Sequence, residues 1–124
     1  MIKKILTIMI ILIIGLGIYI AVIFSGMDEK LDAITINQVN LENIENGIYT
    51  GEAEAGLIKV VTEVMIVDNM IKNIRIIEHD NWQGGPAEAI IDDVIDSQSL
   101  EVDLISGASA SSKVILKAIE NSLR

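Results

Sequence analysis

Residues 57–78, LIKVVTEVMIVDNMIKNIRIIE, contain the pattern that decides the fold. Apolar and β-branched residues alternate along the first half, which is typical of a strand with one buried face. Asp68-Asn69 follows, and Asn tolerates the left-handed backbone that a tight hairpin turn requires. Residues 71–78 then return as a second arm, so the stretch predicts an antiparallel hairpin. The residues expected on one face of its first strand are Ile58, Val60, Thr62, Val64 and Ile66.

The segments around this hairpin predict a small α+β domain over residues 47–124. GIYTGEAEAG, from Gly47, reads as a short strand with a bend at Gly51. Pro86 suits the first position of a helix running to about Ser97. SLEVDLI, residues 99–105, is expected as another short strand, and SSKVILKAIENSL as an amphipathic helix from Ser111 to Leu123. Antiparallel strands with two packed helices make the α+β class.

The N-terminal segment predicts one transmembrane helix. Ile5 to Phe24 is a run of 20 residues without a charge, which at ~1.5 Å per residue spans roughly 30 Å of hydrocarbon. The alternatives are a buried core helix and a cleaved signal peptide. A signal peptide has an apolar region of about 7 to 15 residues and a small-x-small cleavage site, which IFSGMDEK lacks. We therefore expect an uncleaved anchor over residues 1–25, followed by a stalk over residues 26–46.

The flanking charges predict the orientation of that anchor in the cell membrane. Lys3 and Lys4 precede the span, whereas Asp28, Glu29 and Asp32 follow it with a single lysine among them. Because excess Lys and Arg mark the cytoplasmic side, we expect a single-pass protein with its N-terminus in the cytoplasm. The C-terminal domain is expected to be extracytoplasmic.

The charge and cysteine content exclude several classes of function. Beyond Ser25 the chain carries 18 acidic residues against seven basic ones, a net charge of −11. Nucleic acid is therefore excluded as a partner, since phosphate binding needs clustered Lys and Arg. No cysteine is present, so disulfides, thiol redox chemistry and Cys-ligated metal are absent as well. The hydrophobic core of a domain of roughly 80 residues is marginal in size, and a tightly bound ligand would stabilise the domain.

Residues 103–113, DLISGASASSK, are the stretch most suggestive of a site. Three catalytic patterns do not fit: a P-loop needs a second glycine before Lys113, an S-x-x-K pair needs serine at Ala110, and the sole histidine, His79, has no triad motif around these serines. Two readings remain open. One is a serine N-cap on the following helix. The other is a phosphate site built from the N–H groups at that helix N-terminus.

The chain resembles the FMN-binding domain found in a flavin-carrying component of the sodium-pumping NADH:quinone oxidoreductase, in the Rnf electron-transport complex and in small anchored bacterial flavoproteins. The resemblance rests on NGIYTGEAE, on VTEVMIVDNMIKNIRIIEH and on QSLEVDLISGASASSKVILKAIENSL, in that order. The family motif is Asp, two variable residues, Ser or Thr, Gly, Ala, and then Thr or Ser before a helix. The matching residues are Asp103, Ser106, Gly107, Ala108 and Ser109.

The resemblance implies that FMN is the cofactor and that Ser109 is its covalent acceptor. In the family a flavin transferase outside the cytoplasm esterifies this last hydroxyl, more often a threonine, with the FMN phosphate. Asp103 is then expected to aid recognition by the transferase. Ser106, Gly107 and Ala108 are expected to shape the turn. The phosphate would face the N–H groups of the final helix, with further hydrogen bonds from Ser111 and Ser112.

The loop HDNWQGGP falls where the family places residues near the flavin ring. Trp82 is expected to stack on the ring or to be an exposed or core-edge aromatic residue, and these alternatives stay open. Gly84 and Gly85 either permit backbone approach to the ring or form a turn. His79 is expected to be a solvated loop residue rather than a proton donor or a metal ligand.

These observations predict a membrane-anchored, extracytoplasmic flavoprotein that carries electrons through FMN. No general acid, base or metal cluster is visible that would define a substrate reaction, which favours a carrier over a complete enzyme. Its partners would be a flavin transferase and redox donor and acceptor proteins, including a quinone-linked donor. The alternatives are a non-redox binding or regulatory module that holds FMN reversibly or not at all, and a reductase completed by a partner chain.

Overall fold

The computed structural model of the chain describes residues 1–80 and 85–124. It contains three helices and a three-stranded antiparallel sheet, which confirms the α+β class. Short 3-10 turns occur at Leu41–Asn43 and Gly85–Ala89. The helices and strands, in chain order, are α1 (Ile2–Asp32), β1 (Gly47–Ala55), β2 (Ile58–Val67), β3 (Met70–Asp80), α2 (Ile90–Ser97) and α3 (Ser109–Ser122).

The predicted hairpin is formed by β2 and β3, and β2 is the central strand of the sheet. Asp68 and Asn69 have φ angles of 52° and 61°. This left-handed pair is what a type I′ turn requires, and it matches the twist of the two strands. All five residues assigned to one face of β2 are buried. They lie beneath α3, which packs on β1 and β2, whereas α2 packs beside β3.

Three local predictions are wrong. Gly51 is not a bend, because it lies within β1 and pairs with Thr62. The α-helical hydrogen bonding expected from Pro86 begins only at Ile90, after the 3-10 turn. Residues 99–105 form no strand, because the Gln98 side chain occupies the nearby edge of β3. It accepts a hydrogen bond from the Ile71 N–H at 2.7 Å and donates to the Ile71 carbonyl at 2.9 Å.

Gly51 lies where β1 crosses α3 at very short range. A Cβ atom on Gly51 would stand 2.3 Å from the Ser122 backbone nitrogen and 2.6 Å from the Ala118 carbonyl oxygen. A buried hydroxyl pair fixes the same crossing, because Thr62 and Ser122 are 2.9 Å apart and Ser122 donates to the Ala118 carbonyl. The absence of a side chain at position 51 therefore permits the contact between sheet and helix.

Among the residues that the structure describes, one helix, α1, is long and apolar enough to cross a membrane. It continues to Asp32, beyond the predicted span, and Met27 near its end is buried against the β1–β2 turn at Gly56. The segment after α1 then lies along the domain rather than away from it. Its partly buried apolar residues, packed against the core, are Ile34, Ile36, Val39, Leu41 and Ile44.

Glu120 fastens this segment to α3. Its side chain is almost fully buried, accepts a hydrogen bond from the Asn37 N–H at 2.6 Å and pairs with Lys117, whose ammonium also donates to the Thr35 carbonyl at 2.9 Å. Burial alone would raise the pKa of Glu120. The hydrogen bonds from Lys117 and Asn37 and the positive charges of Lys117 and Arg124 outweigh it, so the pKa lies below its ordinary value of 4.5.

A Glu120→Gln substitution is expected to destabilise the domain by about 1.5 to 3 kcal/mol at pH 7, since it weakens buried hydrogen bonds to a charged group. A carboxylate with a lowered pKa stabilises the fold fully above its unfolded-state pKa, and that contribution disappears as the pH falls through the folded-state pKa. The variant should therefore approach the wild type only as the pH falls through the folded-state pKa of Glu120, which lies below 4.5. Thermal unfolding at pH 7 and along a series of acidic pH values measures this, with the more exposed Glu63→Gln as control. A loss of stability that stays the same across the whole series would contradict the assignment.

Candidate functional site

The serine-rich stretch forms a tight turn and the first turn of α3. The Ala108 N–H donates to the Ile105 carbonyl at 3.0 Å, and Gly107, at the third position of this turn, has a φ of 78°. A type II turn requires positive φ at that position, which glycine adopts at no steric cost. A Cβ at Gly107 would meet no atom within 4 Å, so the requirement is conformational rather than steric.

The four hydroxyls of the stretch differ sharply in exposure. Ser106 and Ser109 are exposed, whereas Ser111 and Ser112 are buried. Ser112 accepts a hydrogen bond from the Ile105 N–H at 3.1 Å and donates its proton to the Ala108 carbonyl at 2.8 Å. In this arrangement Ser112 holds the turn in place. An incoming reagent can reach only the two exposed hydroxyls.

The N-terminus of α3 carries no side-chain cap. Its N-cap residue is Ala108, which has no side-chain oxygen that could accept a hydrogen bond, and the first turn contains no acidic residue. The serine-cap reading is therefore wrong for this helix. The first N–H groups of a helix have no intrahelical acceptors and bear a partial positive charge, which suits a phosphate. With the exposed Ser109 hydroxyl on the first helical residue, this arrangement fits the phosphate end of FMN.

His79 joins three elements beneath this helix end. It lies in β3, opposite Val60, and its side chain is only 3% exposed, so the expectation of a solvated loop residue is wrong. Its Nδ1 is 3.0 Å from the Glu88 carboxylate, and its Nε2 is 3.3 Å from the Ser111 hydroxyl. The sequence offered no local motif for this chain of contacts. Although the order Ser–His–carboxylate resembles a hydrolytic triad, Ser111 is 2% exposed, which excludes attack on a substrate.

Replacing His79 should therefore affect stability more than replacing Glu88. His79→Ala leaves a buried hydroxyl and a cavity, and we expect it to cost about 1 to 3 kcal/mol. Glu88 is half exposed, and Glu88→Gln keeps an acceptor, so its cost should stay below about 1 kcal/mol. Thermal unfolding of both variants compares them directly. Equal effects would mean that the exposed contact between His79 and Glu88, rather than the burial of His79, holds the elements together.

The other predicted site residues are only partly described. Trp82 and Gly84 lie outside the described residues. Gly85 begins the 3-10 turn before α2 and is exposed. Asp103 is exposed and lines a shallow, acidic cavity of about 510 Å³ together with Asp93, Asp96 and Glu101. Within residues 1–80 and 85–124, no group of three or more His, Asp or Glu side chains is arranged to hold a metal ion.

Comparison with known families agrees with this geometry. The family model described as the FMN-binding domain matches residues 55–124, which is more than half of the chain and includes both β2–β3 and the whole of α3. None of the curated proteins matches the chain. The matched region contains the uncapped helix end, the exposed Ser109 and the glycine turn that precedes it. The chain belongs to the FMN-binding domain family, and its cofactor is FMN.

Proposed function

We propose that this protein is a membrane-anchored flavoprotein that carries electrons through an FMN linked by its phosphate to Ser109. The observation that carries the proposal is the exposed Ser109 hydroxyl on the first residue of an uncapped helix, within the region that matches the family. The anchor comprises residues 1–25, residues 26–46 connect it, and residues 47–124 form the FMN-binding domain.

Attachment joins the Ser109 oxygen to the phosphorus of an FMN unit. Because a phosphate monoester is a poor phosphoryl donor, the transferase requires a donor in which that phosphorus is part of a phosphoanhydride. The Ser109 O–H bond and the anhydride bond break, a P–O bond forms, and the displaced phosphate monoester leaves. A base on the transferase takes the proton. The product is a phosphodiester with one negative charge beside the α3 N-terminus, where the helix dipole stabilises it.

The protein supplies attachment and orientation, and the bound flavin supplies reversible acceptance and donation of electrons. Ser112 and Gly107 hold the turn that presents Ser109, while His79 and Glu88 support the next turn of the helix through Ser111. Asp103 is exposed in the same stretch and is available to the transferase. The redox partners we propose are donor and acceptor proteins, one of them linked to quinone.

Co-expression of the full chain with a flavin transferase tests the covalent link. We expect a fluorescent band on a denaturing gel under ultraviolet light, and an intact mass increased by one FMN less one water. If the flavin absorbance is present in the native protein but lost on denaturation, the alternative of a reversible FMN module is correct. Stoichiometric reduction and reoxidation of the bound flavin by a membrane fraction would then separate a carrier from a non-redox module.

The orientation of the anchor can be tested with a single engineered cysteine, because the chain contains none. Glu42 is exposed on the 3-10 turn Leu41–Asn43, so the variant Glu42→Cys carries an accessible thiol. If the domain is extracytoplasmic, a membrane-impermeant maleimide should label this variant in intact cells. A cysteine placed at Lys3 should react only after the membrane is opened. The reverse pattern would contradict the topology that the flanking lysines predict.

A further inference from the structure

A polar cavity lies between the end of α1, the outer edge of β1 and the C-terminal half of α3. Its volume is about 570 Å³, within the range of small-molecule sites in proteins. The charged residues that line it are Lys30, Lys59, Lys117, Glu52 and Glu54. The cavity is distant along α3 from Ser109, since Lys117 and Asn121 line it from the last turns of that helix.

The charges in this lining are unusual for so acidic a domain. The Lys117 ammonium is engaged by Glu120 and by the Thr35 carbonyl. Lys59 is 3.9 Å from Glu78 in an exposed pair, which binds weakly. Lys30, Glu52 and Glu54 form no salt bridge with any residue in 1–80 or 85–124. The cavity therefore combines the unpaired Lys30 and the weakly paired Lys59 with two carboxylates that form no salt bridge, in a region beyond Ser25 whose net charge is −11.

The position of Lys30 places the cavity near the membrane surface. Lys30 follows Phe24, the last residue of the apolar run, by six positions in the same helix, which is about 9 Å along the axis. The polar layer on each side of the hydrocarbon is roughly 5 to 8 Å thick, and a lysine stem extends its ammonium back toward that layer. This step rests on the proposed anchor.

We propose that this cavity binds the head group of a phospholipid that carries a primary ammonium group. The phosphate would pair with Lys30 and Lys59, and the ammonium with Glu52 and Glu54. A head group with only negative charge would be repelled by the two carboxylates. A quaternary ammonium group is recognised by aromatic rings, and the cavity lining contains none. The mixed lining therefore favours phosphoethanolamine over phosphoglycerol and phosphocholine head groups.

Nanodiscs of three compositions test the preference with the full chain. They contain phosphatidylcholine alone, or phosphatidylcholine mixed with phosphatidylethanolamine or with phosphatidylglycerol. We expect native mass spectrometry to show phosphatidylethanolamine retained about fivefold or more above its share of the disc, and the unfolding temperature of the domain to rise only in those discs. Equal retention of all lipids, or preferential retention of phosphatidylglycerol, would overturn the proposal.

A charge-neutral double variant locates the effect. Lys30→Gln with Glu52→Gln removes one charge of each sign from the cavity, and we expect the enrichment to disappear. The control, Lys72→Gln with Glu45→Gln, makes the same change at exposed positions outside the lining and should keep the enrichment. Loss in both, or in neither, would overturn the assignment of the site.

Two further measurements separate the possible failures. Soluble phosphoethanolamine added to phosphatidylcholine discs should leave the unfolding temperature unchanged. A rise equal to that in phosphatidylethanolamine discs would mean that the cavity takes a free metabolite, and would overturn the lipid assignment. Failure of the chain to co-purify with any disc would overturn both the anchor and this proposal, whereas the flavin measurement on Ser109 would be unaffected by either outcome.

Discussion

Ser109→Ala should abolish covalent flavin labelling completely while leaving the domain folded. The hydroxyl of Ser109 is exposed and lies on the first residue of α3, where it serves as no cap for the helix. Removing it therefore removes the nucleophile without removing a packing contact, and alanine is a good helix former. Gel fluorescence after co-expression with the transferase should fall to background, with an unchanged unfolding temperature for the flavin-free chain.

Ser109→Thr is the matched control for this substitution. It restores a hydroxyl at the same position and adds one methyl group at an exposed site, so labelling should persist at a level comparable with wild type. If Ser109→Ala still carried the label and Ser106→Ala lost it, the acceptor would be the other exposed hydroxyl of the stretch. Ser111 and Ser112 are too buried to replace either of them.

Gly51→Ala is expected to produce the largest loss of stability of any substitution considered. The new Cβ would stand 2.3 Å from the Ser122 nitrogen, and both this atom and the Ala118 carbonyl belong to the backbone of α3. Neither can rotate away, so β1 and α3 must separate and the buried Thr62–Ser122 contact must lengthen. Overpacking usually costs about 1 to 3 kcal/mol, and we expect about 3 kcal/mol or more here. For a domain of this size that lowers the unfolding temperature by roughly 12 °C or more.

Gly47→Ala provides the control in the same strand. A Cβ at Gly47 would meet the Tyr49 ring at 3.6 Å, an ordinary contact, so the change in stability should stay within about 0.5 kcal/mol. Circular dichroism of the detergent-solubilised chain during heating measures both variants. A small effect of Gly51→Ala would mean that β1 and α3 are farther apart than the structure places them.

The sequence predicted those parts of the fold whose signals are local. The hairpin was predictable because alternation along Ile58–Val67 and the Asp68-Asn69 pair act within a few residues of each other. The final helix was predictable because its apolar residues recur at helical spacing. The N-terminus of α3 was harder to predict from the sequence. The serines before the helix left a serine cap open, whereas the structure places Ala108 at the N-cap position.

Features that depend on distant partners were not predictable. Glu120 reads as one more acidic residue on a helix, but its acceptor role depends on Asn37, which is 83 positions away. His79 and Ser111 are 32 positions apart, and no local motif joins them. Residues 99–105 have the composition of a strand, yet the Gln98 amide satisfies the edge of β3 at Ile71. In each case tertiary contacts overrode the local pattern.

The continuity of α1 with the domain has a mechanical consequence. Met27 packs against Gly56, and Lys117 and Glu120 hydrogen-bond the backbone at Thr35 and Asn37. These contacts connect α1 rigidly to the domain, so the connection is not a flexible linker. Ser109 lies eight residues from Lys117, about 12 Å along α3. If α1 is the membrane anchor and Ser109 carries the flavin, as we propose, the length of α1 would set the distance of the flavin from the bilayer, in steps of about 5.4 Å per turn. A redox partner in the same bilayer would then meet the flavin by lateral diffusion at a constant distance from the membrane.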